Sequence, residues 1–190
     1  MYIIFEGIDT CGKTTQIELL AQKYKEAIIT REPGGTTFGK KAREILLEDS
    51  LDSKRAELLL FLADRAEHYT QVIKPNRDKI ILSDRGFLSG IGYALANGDF
   101  EFEELLKLNR FVLEDDLPDL IILFLTDMET LAERTSQKTL DGIELRGLEY
   151  LISVQEHMRQ SLERLDSPYL LIDARESVEA IHNKIIKRIK

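Results

Sequence analysis

Tryptophan is absent from this 190-residue chain, and cysteine, histidine and proline are scarce. Its single cysteine, Cys11, excludes an internal disulfide framework and any multi-cysteine zinc site. The three histidines, His68, His157 and His182, stand at no metal-ligand spacing and are read as surface or helix-packing residues. No apolar stretch approaches the roughly 20 residues that span a bilayer. The opening MYIIFEG lacks the basic start and cleavage region of a secretory signal, so cytoplasmic residence with no membrane partner is expected. A basic excess is missing too. Lys+Arg number 26 against 34 Asp+Glu, a net charge of −8, which speaks against a nucleic-acid partner. Any bound polyanion must therefore meet a local cluster of cations.

What is present fits one soluble domain over residues 1–190, with hydrophobic residues at 43% and charged residues at 32%. Apolar runs alternate with helical patterns. Residues 2–5, 27–30, 79–84, 120–125 and 169–173 are short and apolar, as in strands covered on both faces. Between them, 13–24, about 53–73, about 144–165 and a C-terminal stretch through Val178, Ile181, Ile185 and Ile189 read as helices. Pro75 would help to stop the second of these. The alternation predicts an α/β fold: a parallel five-stranded sheet in a three-layer arrangement, with ligands beyond the carboxyl ends of the strands. The helix through ELLLFLA is apolar on more than one face, which fits either a central helix or a homodimer contact.

Gly7-Ile8-Asp9-Thr10-Cys11-Gly12-Lys13-Thr14 fits G-x-x-x-x-G-K-[ST]. An apolar strand precedes it and an amphipathic helix follows. In such a loop, glycines let successive N–H groups point at phosphate oxygens. Lys13 would reach the β- and γ-phosphates, the Thr14 hydroxyl would ligate Mg²⁺, and the helix start at Thr14 and Thr15 adds N–H donors. Cys11 is read as a small loop residue. The loop predicts nucleotide binding but does not separate kinase, ATPase and GTPase.

The guanine-reading N-K-x-D is absent, and TDMET follows the fourth strand instead. A kinase needs a second anion site and a closing lid. Arg65 lies four residues after Phe61 on one helix face. Arg85 follows a strand, where it would stand at the carboxyl edge of the sheet. REPGGTTFG (31–39) is a second glycine-rich loop that could bring Glu32 to the first. The polar stretch 133–147 is a candidate lid.

FEGIDTCGKTTQ, REPGGT, FLADRAEH, SDRGFLSGIGY and PDLIILF occur in an order and spacing that resemble the thymidylate kinase family over nearly the whole chain. The resemblance implies the P-loop NTPase fold with a helical lid, and ATP-dependent phosphorylation of dTMP to dTDP with Mg²⁺, typically by a homodimer. It implies that Lys13 and Thr14 hold the ATP phosphates and Mg²⁺. Asp9 and Glu32 position metal, water or acceptor phosphate, with Asp84 of the D-R pair beside the metal. Phe61 stacks on thymine, Arg65 contacts base or phosphate, and Arg85 clamps the dTMP phosphate. Ser89 lies beside the base pocket, and Tyr93 packs under the sugar.

Three positions depart from the family pattern. Gly86 follows the D-R pair where a larger residue is usual. Thr10 stands where some members have a phosphate-loop arginine. Gly142 replaces the arginine of a lid D-R-I-E. Arg134 and Lys138 are therefore expected to reach the transferring phosphoryl on lid closure. A kinase for another small phosphorylated acceptor and a nucleotide switch stay open as alternatives on the residues alone.

Overall fold

The computed structural model describes residues 1–48, 51–136 and 147–189. Strand β1 (Tyr2–Glu6) is buried at every residue. Its side chains alternate between two cores. Ile3 and Phe5 join one with Ile17, Leu20, Ile181 and Ile185. Tyr2 and Ile4 join the other with Leu62, Ile91, Leu105, Val154 and Met158. This is why the strand reads as one apolar run: a strand with two covered faces has no polar side to display.

The other strands are β2 (Ile28–Arg31), β3 (Ile81–Asp84), β4 (Leu120–Leu125) and β5 (Tyr169–Asp173), in the order β2-β3-β1-β4-β5. Every pairing is parallel. Helices α1 (Lys13–Lys23) and α8 (Val178–Ile189) cover one face. The other face carries α3 (Lys54–His68), α4 (Phe87–Ala96), α5 (Phe102–Val112), α6 (Met128–Thr135) and α7 (Leu148–Glu163). Helix α2 (Thr37–Glu48) lies against α3. All five expected strands are present, with β2 shifted one residue onward and β3 beginning later, at Ile81.

The long helix expected from Ser53 is capped there, since the Ser53 side chain accepts from the Ala56 N–H. It runs to His68, and a π-helical turn (Tyr69–Ile73) then carries it to a 3-10 turn around Pro75. Its Leu58 and Leu62 are buried, but Leu59 is 60% exposed, so α3 is not enclosed on all sides. The C-terminal ends of β2, β3 and β1 bring Arg31, Asp84 and Glu6 to one edge of the sheet. The chain reverses its strand order beside β1, and ligands in such sheets bind at that crevice.

Candidate active site

The phosphate loop starts where β1 ends. Gly7 has φ +136°, and a Cβ there would lie 2.8 Å from the Phe124 carbonyl. Only glycine fits this close, left-handed turn. Ile8 and Cys11 are buried and pack into opposite cores, and the Cys11 Sγ also accepts from Lys13 Nζ at 3.6 Å. Lys13 is buried and folded across the loop, its Nζ donating to the carbonyls of Gly7 (3.0 Å) and Ile8 (2.8 Å). The Thr14 hydroxyl donates to Asp84 Oδ2 at 3.2 Å, joining the start of α1 to the end of β3.

These groups line a cleft of about 330 Å³. Its walls include Asp9, Thr10, Gly12, Lys13, Thr14 and Thr15 from the first loop, Arg31 and Glu32 from the second, Arg43 of α2, and Asp84 and Arg85. Arg85 has φ +70°, a costly left-handed conformation for a non-glycine residue. Its backbone N–H donates to Phe5 at 2.9 Å, and its guanidinium donates to the Gly7 carbonyl (2.7 Å), Ser89 Oγ (3.1 Å) and Asp9 Oδ1 (2.8 Å). Burial alone would lower the Arg85 pKa. Asp9, Tyr93 and Asp84 more than offset it and hold the pKa well above the ordinary value. Ser89 Oγ in turn donates to Glu6, a carboxyl that burial pushes up despite that bond.

The other anchor is Arg65, only 3% exposed. Its Nε donates to Glu32 Oε2 (2.7 Å), and its two terminal nitrogens donate to Asn109 Oδ1 (2.6 Å) and the Gly86 carbonyl (3.1 Å). Burial would raise the Glu32 pKa, but the Arg65 charge and His68 hold the carboxyl below its usual value. Next to Arg65 lies a narrow, largely apolar slot of about 10 Å³, with Phe61, Leu58, Gly90, Tyr93, Ala94 and Phe100 in its walls and Lys54, Glu57 and Asn97 at its polar side. Phe61 is half-buried there. The Arg85 guanidinium, in the wall of the charged cleft, lies 5.9 Å from the ring centroid of Tyr93, in the wall of the slot.

The structure thus brings Asp9, Lys13, Thr14, Glu32, Asp84 and Arg85 to one cleft, bonds Arg65 to its Glu32 and Ser89 to its Arg85, and places Phe61 and Tyr93 in the neighbouring slot. Arg134 goes elsewhere. Its guanidinium donates to the carbonyls of Thr10 (3.1 Å) and Ala174 (2.9 Å), between the phosphate loop and the turn after β5. Lys138 and Gly142, with the lid expected over 133–147, fall outside the described residues apart from 133–136 and Gly147.

Sequence reasoning missed several participants. Arg31 and Arg43 line the cleft. Asn109 fixes Arg65 from α5, and Glu6 fixes Ser89 from β1. His68 is not a surface residue: it is wholly buried between Glu32 and Thr30. Asp64, also buried, accepts from the Gly34 N–H at 3.3 Å, and burial with the neighbouring Glu32 pushes its pKa up to about 6. Only the two arginines of REPGGT and α2 had a sequence signal, as cations near a glycine-rich loop.

Magnesium takes oxygen ligands and is held by one or two protein oxygens together with substrate phosphates. Thr14 Oγ1 and Asp84 Oδ2 face the cleft as such a pair, and no cluster of three or more His, Cys, Asp or Glu capable of holding a metal occurs among the described residues. The oxygen pair fits an ion shared with bound phosphates better than a closed protein cage.

A family model described as thymidylate kinase matches residues 5–185. A thymidylate kinase of Sulfurovum sp. (strain NBC37-1) is 69% identical over 190 residues, covering 100% of both chains. One from Campylobacter concisus (strain 13826) is 53% identical over 188 residues, covering 97% of this chain and 96% of its own. A crystal structure of thymidylate kinase from Ehrlichia chaffeensis superposes with a TM-score of 0.78 at 27% identity, covering 100% of this chain and 98% of the other. With a phosphate loop, a D-R pair and a buried Glu–Arg pair converging on one cleft, the chain belongs to the thymidylate kinase family.

Proposed function

We propose that the chain transfers the γ-phosphoryl of ATP to dTMP, with ADP and dTDP as products. The observation that carries this reading is the contact of Arg85, in the wall of the phosphate cleft, with Tyr93, in the wall of a narrow aromatic slot that a flat ring would have to widen. A donor triphosphate lies along Gly12 to Thr15, where the start of α1 supplies N–H groups and a positive dipole end. Lys13 exchanges its carbonyl partners for the β- and γ-oxygens. Magnesium, when bound through Thr14 and Asp84 with Asp9 at hand, neutralises charge on those phosphates. The dTMP base enters the slot against Phe61, with Tyr93 under the sugar and Ser89 beside it. Arg65 steadies the acceptor, and Arg85 and Arg43 hold its phosphate.

A phosphate oxygen of dTMP attacks the γ-phosphorus, and the bond to the β–γ bridging oxygen breaks as ADP leaves. The protein's part in such a transfer is positioning and charge stabilisation. Arg31 also belongs among the cleft cations; no described residue bonds to its guanidinium, so its charge is available to the phosphates. Arg134 braces the donor loop through Thr10, while Lys138 stays assigned to the transferring phosphoryl.

The same reading includes a homodimer and a cytoplasmic setting among soluble nucleotides. Leu59 on α3 and Phe111 on α5, 60% and 80% exposed, are apolar groups that a second copy would cover. Among the described residues no helix is long and apolar enough to cross a membrane. The decisive test is ADP release with Mg-ATP against dTMP, dUMP, UMP, CMP, AMP and GMP. A rate strongly dependent on dTMP is expected. Preference for another acceptor, or release without any acceptor, would overturn the assignment.

A further inference from the structure

His68 closes α3, yet both its ring nitrogens are spent on groups outside that helix. Nδ1 lies 2.8 Å from Glu32 Oε1, and Nε2 lies 2.6 Å from Thr30 Oγ1. The ring is 0% exposed. It is also pressed beneath the second glycine loop: a Cβ on Gly35 would fall 2.6 Å from its Cδ2. The loop packs closely over the ring in this orientation.

That orientation has a direction of donation. An ionised carboxylate only accepts, so the Nδ1 proton points at Glu32. The Thr30 hydroxyl can serve either as donor or acceptor and adapts to Nε2. Glu32 is thereby held by two donors, His68 on Oε1 and Arg65 on Oε2. Arg65 is held by three acceptors, Glu32, Asn109 and Gly86. A chain of short bonds runs from Thr30 at the end of β2, through His68 and Glu32, to the guanidinium beside the apolar slot.

We propose that His68 is a positioning residue for the acceptor: by donating Nδ1–H to Glu32 it fixes the carboxylate that aims Arg65. His68 touches no cleft surface itself and acts only through Glu32. The proposal rests on the reading of the slot as the acceptor site. It separates the two ring nitrogens, since the bond to Thr30 supports the ring while the bond to Glu32 transmits the effect.

The two nitrogens can be replaced one at a time. In His68→Asn the side-chain amide nitrogen takes the place of Nδ1 and keeps the Glu32 bond. In His68→Gln the amide reaches the place of Nε2 and keeps the Thr30 bond. A hydrogen bond to a charged group corresponds to about a ten- to hundredfold effect. His68→Ala and His68→Gln should therefore raise KM for dTMP about tenfold or more, with KM for ATP within about twofold. His68→Asn should recover most of that loss. A ring that merely packs would make Asn and Gln alike, and a wild-type KM for dTMP in His68→Gln overturns the proposal.

A second measurement does not depend on the substrate. The Arg65 Nε–H resonance in a ¹⁵N-correlated spectrum reports the Glu32 bond directly. It should move in His68→Gln and stay in His68→Asn; an unmoved resonance in His68→Gln also overturns the proposal. If the wild-type protein ignores dTMP, the acceptor assignment fails while this spectrum still decides the role of His68.

Discussion

Arg85 and Asp9 form an ion pair of 2.8 Å across the mouth of the phosphate loop, although they lie 76 residues apart. The pair sets the acceptor-side arginine against the donor loop, and the same guanidinium also reaches Gly7 and Ser89. Arg85→Ala should lower kcat/KM for dTMP roughly a hundredfold or more, the usual loss for a positioned charge donor. Arg85→Lys should restore little, because one ammonium cannot hold three acceptors in a planar fork. Steady-state kinetics with dTMP varied at saturating ATP checks both. A Lys variant with wild-type efficiency would show that only net charge matters there.

Phe61 is half-buried in the wall of the slot with Tyr93. Stacking of a base on an aromatic side chain contributes about 1–3 kcal/mol. Phe61→Ala should raise KM for dTMP about tenfold or more on that account, with KM for ATP little changed. An equal rise in both constants would place the ring in the general fold of the cleft rather than under the base.

The sheet was legible in sequence because its strands are covered on both faces and so read as apolar runs. Helix α4 was not. FLSGIGYALA carries two glycines and no polar stripe, so neither propensity nor periodicity marks it. It is helical because it is buried against α7, where a Cβ on Gly92 would meet Met158. The site divides in the same way. Lys13 and Thr14 were visible because one short motif contains them. Glu6 with Ser89, Arg65 with Asn109 and Glu32 with His68 were not, because each is a pair of distant residues whose separate types are unremarkable. Arg134 shows the limit from the other side: its place in a polar stretch suggested the phosphoryl group, and nothing in the sequence marked the two backbone carbonyls that hold its guanidinium in this structure.

Asp64 makes stability depend on pH in an identifiable window. Its folded pKa of about 6 lies above the ordinary 3.8. The folded state then holds the proton more tightly than the unfolded state, so the contribution is fully present below about pH 4 and is lost as pH rises through about 6. A shift of that size corresponds to roughly 2–3 kcal/mol. Asp64→Asn keeps an oxygen for the Gly34 N–H and has no charge to bury. The variant should exceed wild type in denaturant stability at pH 7.5, and the difference should shrink toward pH 4.5. A constant difference across that range would remove Asp64 from the account.

Gly86, the unusual residue after the D-R pair, is explained by its neighbours. A Cβ there would lie 3.1 Å from Ile4 Cγ2 and 3.2 Å from Ile4 Cδ1, and its carbonyl accepts from Arg65. Gly86→Ala should destabilise the protein by about 1–3 kcal/mol, the usual cost of overpacking a filled core. It should also raise KM for dTMP if the carbonyl shifts away from Arg65. Paired Ile4→Val/Gly86→Ala substitution should recover part of the stability, which a double-mutant cycle in denaturant measures. No coupling between the two sites would mean that the contact with Ile4 is not the cause.

Arg134 distinguishes two functions by kinetics. Its bonds to Thr10 and Ala174 brace the phosphate loop against the turn after β5, so the loop is what its loss should disturb. Arg134→Ala should raise KM for ATP roughly tenfold while leaving KM for dTMP near wild type, as expected when binding to the donor is lost in ground and transition states alike. Arg134→Lys should fall between, since an ammonium can reach one carbonyl or the other but lacks the fork that joins both. A transition-state donor predicts the opposite split: kcat down roughly a hundredfold or more with KM for ATP unchanged. That result would return Arg134 to the transferring phosphoryl. The brace would then be a resting arrangement that opens when the donor binds.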